Sequence, residues 1–392
     1  MIRIPDSEFQ ERVKKVQAAM AREGFDMLLC YGNEAEPQFV RYFSDYWPSF
    51  ETAGVLIPKS GEAKLLIGPE SKTYATDRSR IADIKLLKAF RESSEPEYPG
   101  KPLDTFTSVF AECEGGASIK RFGVAGLPLM TVGVYSALQE ALKPFGDVKV
   151  EKADHIVSAI RMIKSENELA CMRKAAEITY KTMQYVLENI HVGMTETQVV
   201  GLALGKMHEL GAERESYPLW VLTGEGSDQA ISRPRQKAIQ KGDMTFLQIG
   251  ARYEGYASSI GRAVVFGKAT DEQRALIEAG YEVQKTVLEF TKAGVPARDV
   301  AKLHLETVKK LGYEDHYLYG PFHGNGLMEG EAPWVEVDSD YVLEENMTFC
   351  SDIFLGSHET KRGIRIEDVV RITKDGCENL THFPREIFEI LD

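Results

Sequence analysis

The chain is poor in features that several protein classes depend on. Its five cysteines, Cys30, Cys113, Cys171, Cys350 and Cys377, are odd in number, widely spaced and form no CxxC pair. That argues against a disulfide framework or a thiolate zinc site, and for a reducing compartment. No window approaches the about 18 uninterrupted apolar residues that a membrane span needs. The segment Met1–Val13 carries Asp6, Glu8 and Glu11 and no apolar core, unlike a secretory leader. Basic charge is also short: 47 Lys and Arg stand against 60 Asp and Glu, a net charge of −13. Nucleic acid and anionic membranes both recruit basic patches, so neither is an expected partner. No low-complexity tract or internal repeat is visible. These absences lead to the expectation of a cytoplasmic globular protein.

What is present suits two domains: 392 residues, of which 43% are hydrophobic. Asp6 is placed to cap a helix in which Phe9, Val13, Val16 and Met20 recur at three- and four-residue spacing, with Gly24 as the stop. Short apolar runs at 27–30, 54–57, 63–67 and 122–125 read as strands, alternating with helical stretches near 70–78 and 132–142. This pattern predicts an α/β domain with a mostly buried sheet. The boundary falls between Val150 and Ser165, where Ser165-Glu-Asn-Glu168 is a capping box opening a long amphipathic helix. Thr195-Glu-Thr-Gln198 and Thr270-Asp-Glu-Gln273 are two more. Strands are expected at 244–250, 263–267, 347–350 and 364–372, in runs that suggest an antiparallel or mixed sheet covered by helices.

Six segments in this order carry a resemblance. They are Arg161–Leu169 with Met172–Ala175, Lys241-Gly-Asp243, Gly255–Arg262, His323-Gly-Asn-Gly-Leu327, Met347-Thr-Phe349 and Gly363-Ile-Arg-Ile-Glu-Asp368. Together the chain resembles the creatinase, prolidase and methionine aminopeptidase family along its whole length. The resemblance implies an α+β protein, with a creatinase-like α/β domain over 1–155. A pita-bread catalytic domain, a curved and mostly antiparallel sheet covered by helices, follows over 156–392.

Metal-dependent relatives hold two divalent ions with two aspartates, one histidine and two glutamates, because close dications need anionic oxygens between them. Aligned residue by residue, those positions fall on Gln248, Ser259, His323, Asp352 and Glu367. Two charges are gone. The second histidine of prolidase-like members falls on Gly330, and the loop Ser227–Pro234 has no histidine either. The resemblance therefore points to the metal-free branch, similar to creatinase and ectoine hydrolase, which cleaves C–N bonds in small nitrogenous metabolites. On that expectation there is no cofactor, and a cationic substrate group pairs with the buried acids. His323 moves the proton, while Glu367 or Asp352 activates water or attacks the substrate. Arg365, two residues from Glu367 and on the same strand face, grips a substrate carboxylate or holds Glu367.

Gln248, Ser259 and Tyr256 are expected to border the cavity, with Tyr217, Trp220, Phe322 and Trp334 as aromatic wall candidates. The segment Tyr46–Glu51, with Trp47 and Phe50, resembles a loop that reaches the partner's active site in creatinase-like homodimers, so a homodimer is expected. The chief alternative is a divergent Xaa-Pro dipeptidase or aminopeptidase using manganese or cobalt. Further alternatives are a lyase and a non-catalytic peptide-binding module.

Overall fold

A computed structural model describes residues 2–116 and 118–391. Met1, Ala117 and Asp392, which the expected domain spans include, lie outside the described residues. The chain divides into two compact units, one of Ile4–Arg161 and one of Met162–Asp392 together with Met1–Arg3.

The first unit is built on strands β1 (Met27–Gly32), β2 (Ala53–Pro58), β3 (Lys64–Ile67), β4 (Ile84–Leu86), β5 (Arg121–Ala125) and β6 (Lys149–Lys152). They form a six-stranded mixed sheet in the order β4-β3-β2-β1-β5-β6. Every residue of β1, β2 and β3 is buried, which is why these segments read as near-continuous apolar runs rather than alternating ones; the exception, Lys64 of β3, pairs with Asp83. The helix Asp6–Glu23 stops at Gly24, whose φ of 80° places its N–H 2.8 Å from the Met20 carbonyl. Asp6 is not its cap, as the sequence suggests. Pro5 holds that position without a side-chain acceptor, and Asp6 and Glu8 lie in the first turn, where their charge meets the positive end of the helix dipole.

In the second unit all three capping boxes form, opening the helices Glu166–Asn189, Glu196–Glu209 and Asp271–Phe290. Its strands are β7 (Arg214–Glu215), β8 (Trp220–Thr223), β9 (Met244–Ile249), β10 (Ala251–Tyr253), β11 (Tyr256–Ala257), β12 (Ile260–Phe266), β13 (Phe322–Gly324), β14 (Glu331–Val335), β15 (Thr348–Ser357), β16 (Arg362–Ile372), β17 (Cys377–Asn379) and β18 (Phe388–Ile390). A nine-stranded sheet runs β14-β13-β15-β16-β12-β9-β8, with β17 added at β16 and β18 at β12. Its pairings are antiparallel except β12 with β18. This is the α+β arrangement that the resemblance implies.

The β15–β16 hairpin is the longest pairing and sets Asp352 opposite Glu367. On one face of β16, Ile364 and Ile366 pack into the core beside Ile277 and Val283. Gly280 permits that approach, since a Cβ there would stand 2.6 Å from Ile364 Cδ1. Alternation then sends Arg365 and Glu367 to the opposite face, where they are 6% and 0% exposed. No described helix is long and apolar enough to cross a membrane.

Candidate functional site

The polar groups of the second unit lie along one line across its sheet. Register pairs Trp220 with Gln248, Gln248 with Gly261, Gly261 with Glu367, and Glu367 with Asp352. His323 on β13 is opposite Cys350, two residues before Asp352 on β15 and therefore on the same face. Gly261 is the gap in this row. A Cβ there would lie 2.5 Å from Gln248 Oε1 and 3.0 Å from Glu367 Cβ. Without it, the Gln248 amide passes over β12 and donates to Glu367 Oε2, and to Ser259 Oγ at 3.2 Å. The Tyr217 hydroxyl lies 2.9 Å from the same Ser259 oxygen. Gly261→Ala is therefore expected to destabilise the protein by about 1–3 kcal/mol through overpacking. Denaturant unfolding tests this, and an unchanged midpoint would show that Gln248 can retreat freely.

Charge in the row is unevenly neutralised. Arg365 donates to both oxygens of Asp352, Nε to Oδ1 at 2.9 Å and Nη2 to Oδ2 at 2.5 Å. Its Nη1 reaches the Ala230 carbonyl at 2.8 Å, and its guanidinium lies over the Trp220 ring at 4.6 Å. Tyr319 donates to Asp352 Oδ2 at 2.8 Å. Burial alone would raise the Asp352 pKa, but the charge and hydrogen bonds of Arg365 hold it below the usual carboxylate range. Asp352 is thus an ionised group with both oxygens engaged. Glu367 is the opposite case: burial first, then the charges of Glu329 and Asp352, push it well above that range. Burial also raises Glu329.

His323 Nδ1 lies 3.2 Å from the Gly324 carbonyl, a contact that can form only if Nδ1 carries the proton. The Nε2 lone pair then faces Glu329 Oε1 at 3.7 Å and Asp352 Oδ2 at 3.9 Å. Cys350 Sγ lies 3.6 Å from the same Glu329 oxygen. One ligand atom each from His323, Glu329, Cys350 and Glu367 lies within 4.8 Å of the others. Glu367 Oε1 and Gln248 Oε1 are buried and meet no hydrogen-bond donor, which leaves an unsatisfied acceptor in this group. Such a donor set fits one divalent cation. It does not fit two, because Gln248 and Ser259 carry no charge and Asp352 is occupied by Arg365.

The other expected site residues fall as follows. Gln248 and Ser259 border the group through the bonds above. Arg365 binds Asp352, and its Nε stands 3.8 Å from Glu367 Oε2. Tyr256 is 2% exposed and donates to Glu168 at 2.8 Å. Trp334, half exposed, sets its ring 5.1 Å from that of His323. Trp47 and Phe50 belong to the first unit, where Trp47 Nε1 donates to the Glu34 carbonyl at 2.9 Å and Phe50, at φ 59°, is 84% exposed. Sequence reasoning missed Glu329 and Cys350. Alternation along β15 from Asp352 could have found Cys350. Glu329 stands one residue before Gly330, in the turn that precedes β14, where no strand periodicity marks it.

Comparison with known proteins bears on the fold and the family. Residues 170–374 match metallopeptidase family M24, and residues 12–163 match the creatinase/prolidase N-terminal domain. The Xaa-Pro dipeptidase of Pyrococcus horikoshii is 30% identical over 96% of this chain and 98% of its own length. Among solved structures, an X-Pro aminopeptidase from Thermotoga maritima superposes with a TM-score of 0.82 at 26% identity, covering 96% of this chain and 99% of that one. The prolidase from Pyrococcus horikoshii gives 0.80 at 27%, again over 96% and 99%. The expectation of a cofactor-free centre is overturned. The metallopeptidase match, the Xaa-Pro dipeptidase relative and the four-donor group all indicate a divalent cation. That expectation failed because it counted carboxylates only at the family's own ligand positions, and two of the donors present lie elsewhere.

Proposed function

This chain belongs to metallopeptidase family M24, and on that premise we propose that it is a metal-dependent dipeptidase of the Xaa-Pro type. The reading replaces the small-metabolite hydrolase expected from Gln248 and Ser259. The observation that carries it is the convergence of His323, Glu329, Cys350 and Glu367 in a chain that aligns nearly end to end with a Xaa-Pro dipeptidase. These residues would hold the cation, which when bound polarises a carbonyl and lowers the pKa of water.

The chain's own groups prepare the site. Gln248 donates to one oxygen of Glu367 and leaves the other directed to the donor group. Arg365 keeps Asp352 ionised and adds positive charge beside Glu367. Burial first, then the charges of Glu367 and Glu329, keep Tyr217 protonated, so its hydroxyl remains a donor. The rings of Tyr217 and Trp220, 5.4 Å apart, and the ring of Trp334 beside His323 offer apolar surface suited to a prolyl group.

The test is hydrolysis of Xaa-Pro dipeptides against matched Xaa-Ala dipeptides, by purified protein before and after chelation. Selective cleavage of the Xaa-Pro set, abolished by chelator and restored by manganese, cobalt or zinc, is expected. Absence of Xaa-Pro cleavage with every cation would overturn the reading.

A further inference from the structure

We infer that this centre holds a single cation with Cys350 as a thiolate ligand, and that Arg365 stands where a second cation would otherwise balance charge. This deepens the peptidase reading and rests on it for biological purpose, but its geometry is independent of any peptide.

Four lines lead to it. A tetrahedral ion with sulfur at about 2.3 Å and nitrogen or oxygen at about 2.0 Å holds its ligand atoms about 3.3–3.7 Å apart. Here His323 Nε2 and Glu329 Oε1 are separated by 3.7 Å, and Cys350 Sγ and Glu329 Oε1 by 3.6 Å. No family ligand position supplies Glu329 or Cys350, yet both reach the retained His323 and Glu367.

Next, His323 is oriented as metal-binding histidines usually are. Its Nδ1 is tied to a backbone carbonyl and its Nε2 is turned to the carboxylates. Glu367 likewise offers Oε1, fully buried and without a donor, while its second oxygen is held by Gln248.

The third line is charge. On giving up their protons to a bound cation, Glu329, Glu367 and Cys350 would supply three negative charges, enough to balance one dication. A second dication would have to sit among Gln248, Ser259 and Asp352. The first two are neutral, and the third is chelated by a guanidinium that already lies 3.8 Å from Glu367. Repulsion from that buried charge disfavours another cation there.

The last line is softness. A thiolate and an imidazole favour zinc or cobalt over manganese, which prefers an all-oxygen shell. Among the described residues, Cys350 is the cysteine in this group, and Cys30 and Cys113 lie in the other unit.

The experiment uses the full-length chain, stripped by chelator and titrated with cobalt(II) and with zinc against a competing indicator. One equivalent is expected, with a thiolate-to-cobalt charge-transfer band in the near ultraviolet. Cys350→Ser should remove the band and weaken affinity by at least about 10-fold, the smallest loss seen when even a supporting residue is changed. Cys171→Ser should keep both. Glu329→Gln should weaken affinity with the band retained, which keeps the test open if the serine variant does not fold. Two equivalents bound, or one equivalent with no thiolate band, would overturn the inference. A one-ion, thiolate-bearing protein that fails to cleave Xaa-Pro dipeptides would uphold this assignment and sink the dipeptidase reading instead.

Discussion

Replacing Arg365 by leucine is expected to destabilise the second unit by about 3–5 kcal/mol, the loss typical of removing one partner from a buried ion pair. Arg365 and Asp352 are 6% and 1% exposed, and two hydrogen bonds join them. Without the guanidinium, Asp352 would keep the Tyr319 hydroxyl and the more distant His323 as favourable neighbours, with Glu367 opposite it on β16. A buried anion so placed must take up a proton or break open its surroundings. Removing the acid as well, in Arg365→Leu/Asp352→Leu, should recover most of the loss, because buried pairs are often replaceable by apolar groups of similar size. Denaturant unfolding, followed by a probe in residues 162–391 so that the first unit's transition does not mask it, reads both variants. A loss below about 1 kcal/mol for the single change would mean that the pair is not the buried charge balance described here.

Glu367→Gln should leave the fold intact and lower Xaa-Pro hydrolysis by about two to four orders of magnitude, the range that a positioned ionisable group commonly contributes. The substitution keeps the length of the side chain in a fully buried place. It removes the carboxyl oxygen that accepts from Gln248 and the acid that can ionise onto a bound cation. Cation content should fall with activity, and the circular dichroism spectrum should not change. Turnover within about threefold of the parent would remove Glu367 from the chemistry. A parent protein that cleaves nothing, with a variant that binds peptide equally well, would favour the non-catalytic module.

Much of the second unit was legible because its signals are local. The hydroxyls of Ser165, Thr195 and Thr270 satisfy amides three residues away, so the capping boxes need nothing beyond their own turn. Period-two alternation put Arg365 and Glu367 on one face of β16 from four consecutive residues. The first helix shows the limit of such reasoning. Asp6 looks like a cap, but the chain enters through Pro5, and the acid acts one position later.

The partners of the buried carboxylates were not legible. Arg365 spends two of its donors on Asp352, across a strand pairing. Glu329 lies between β13 and β14 and outside both, so no strand alternation places its side chain. The absence of a CxxC pair correctly argues against a zinc site built from paired thiolates. It says nothing about one thiolate meeting ligands from other strands.

The family, the α+β architecture and the order of His323 and Glu367 within their motifs could be read from sequence, because each rests on spacing within short segments. That Glu329 and Cys350 join them, and that Arg365 neutralises Asp352, follows from the folded chain alone. Those meetings depend on pairing between β13, β15 and β16. Such contacts are set by the packing of distant strands, and no local pattern encodes which side chains they bring within reach.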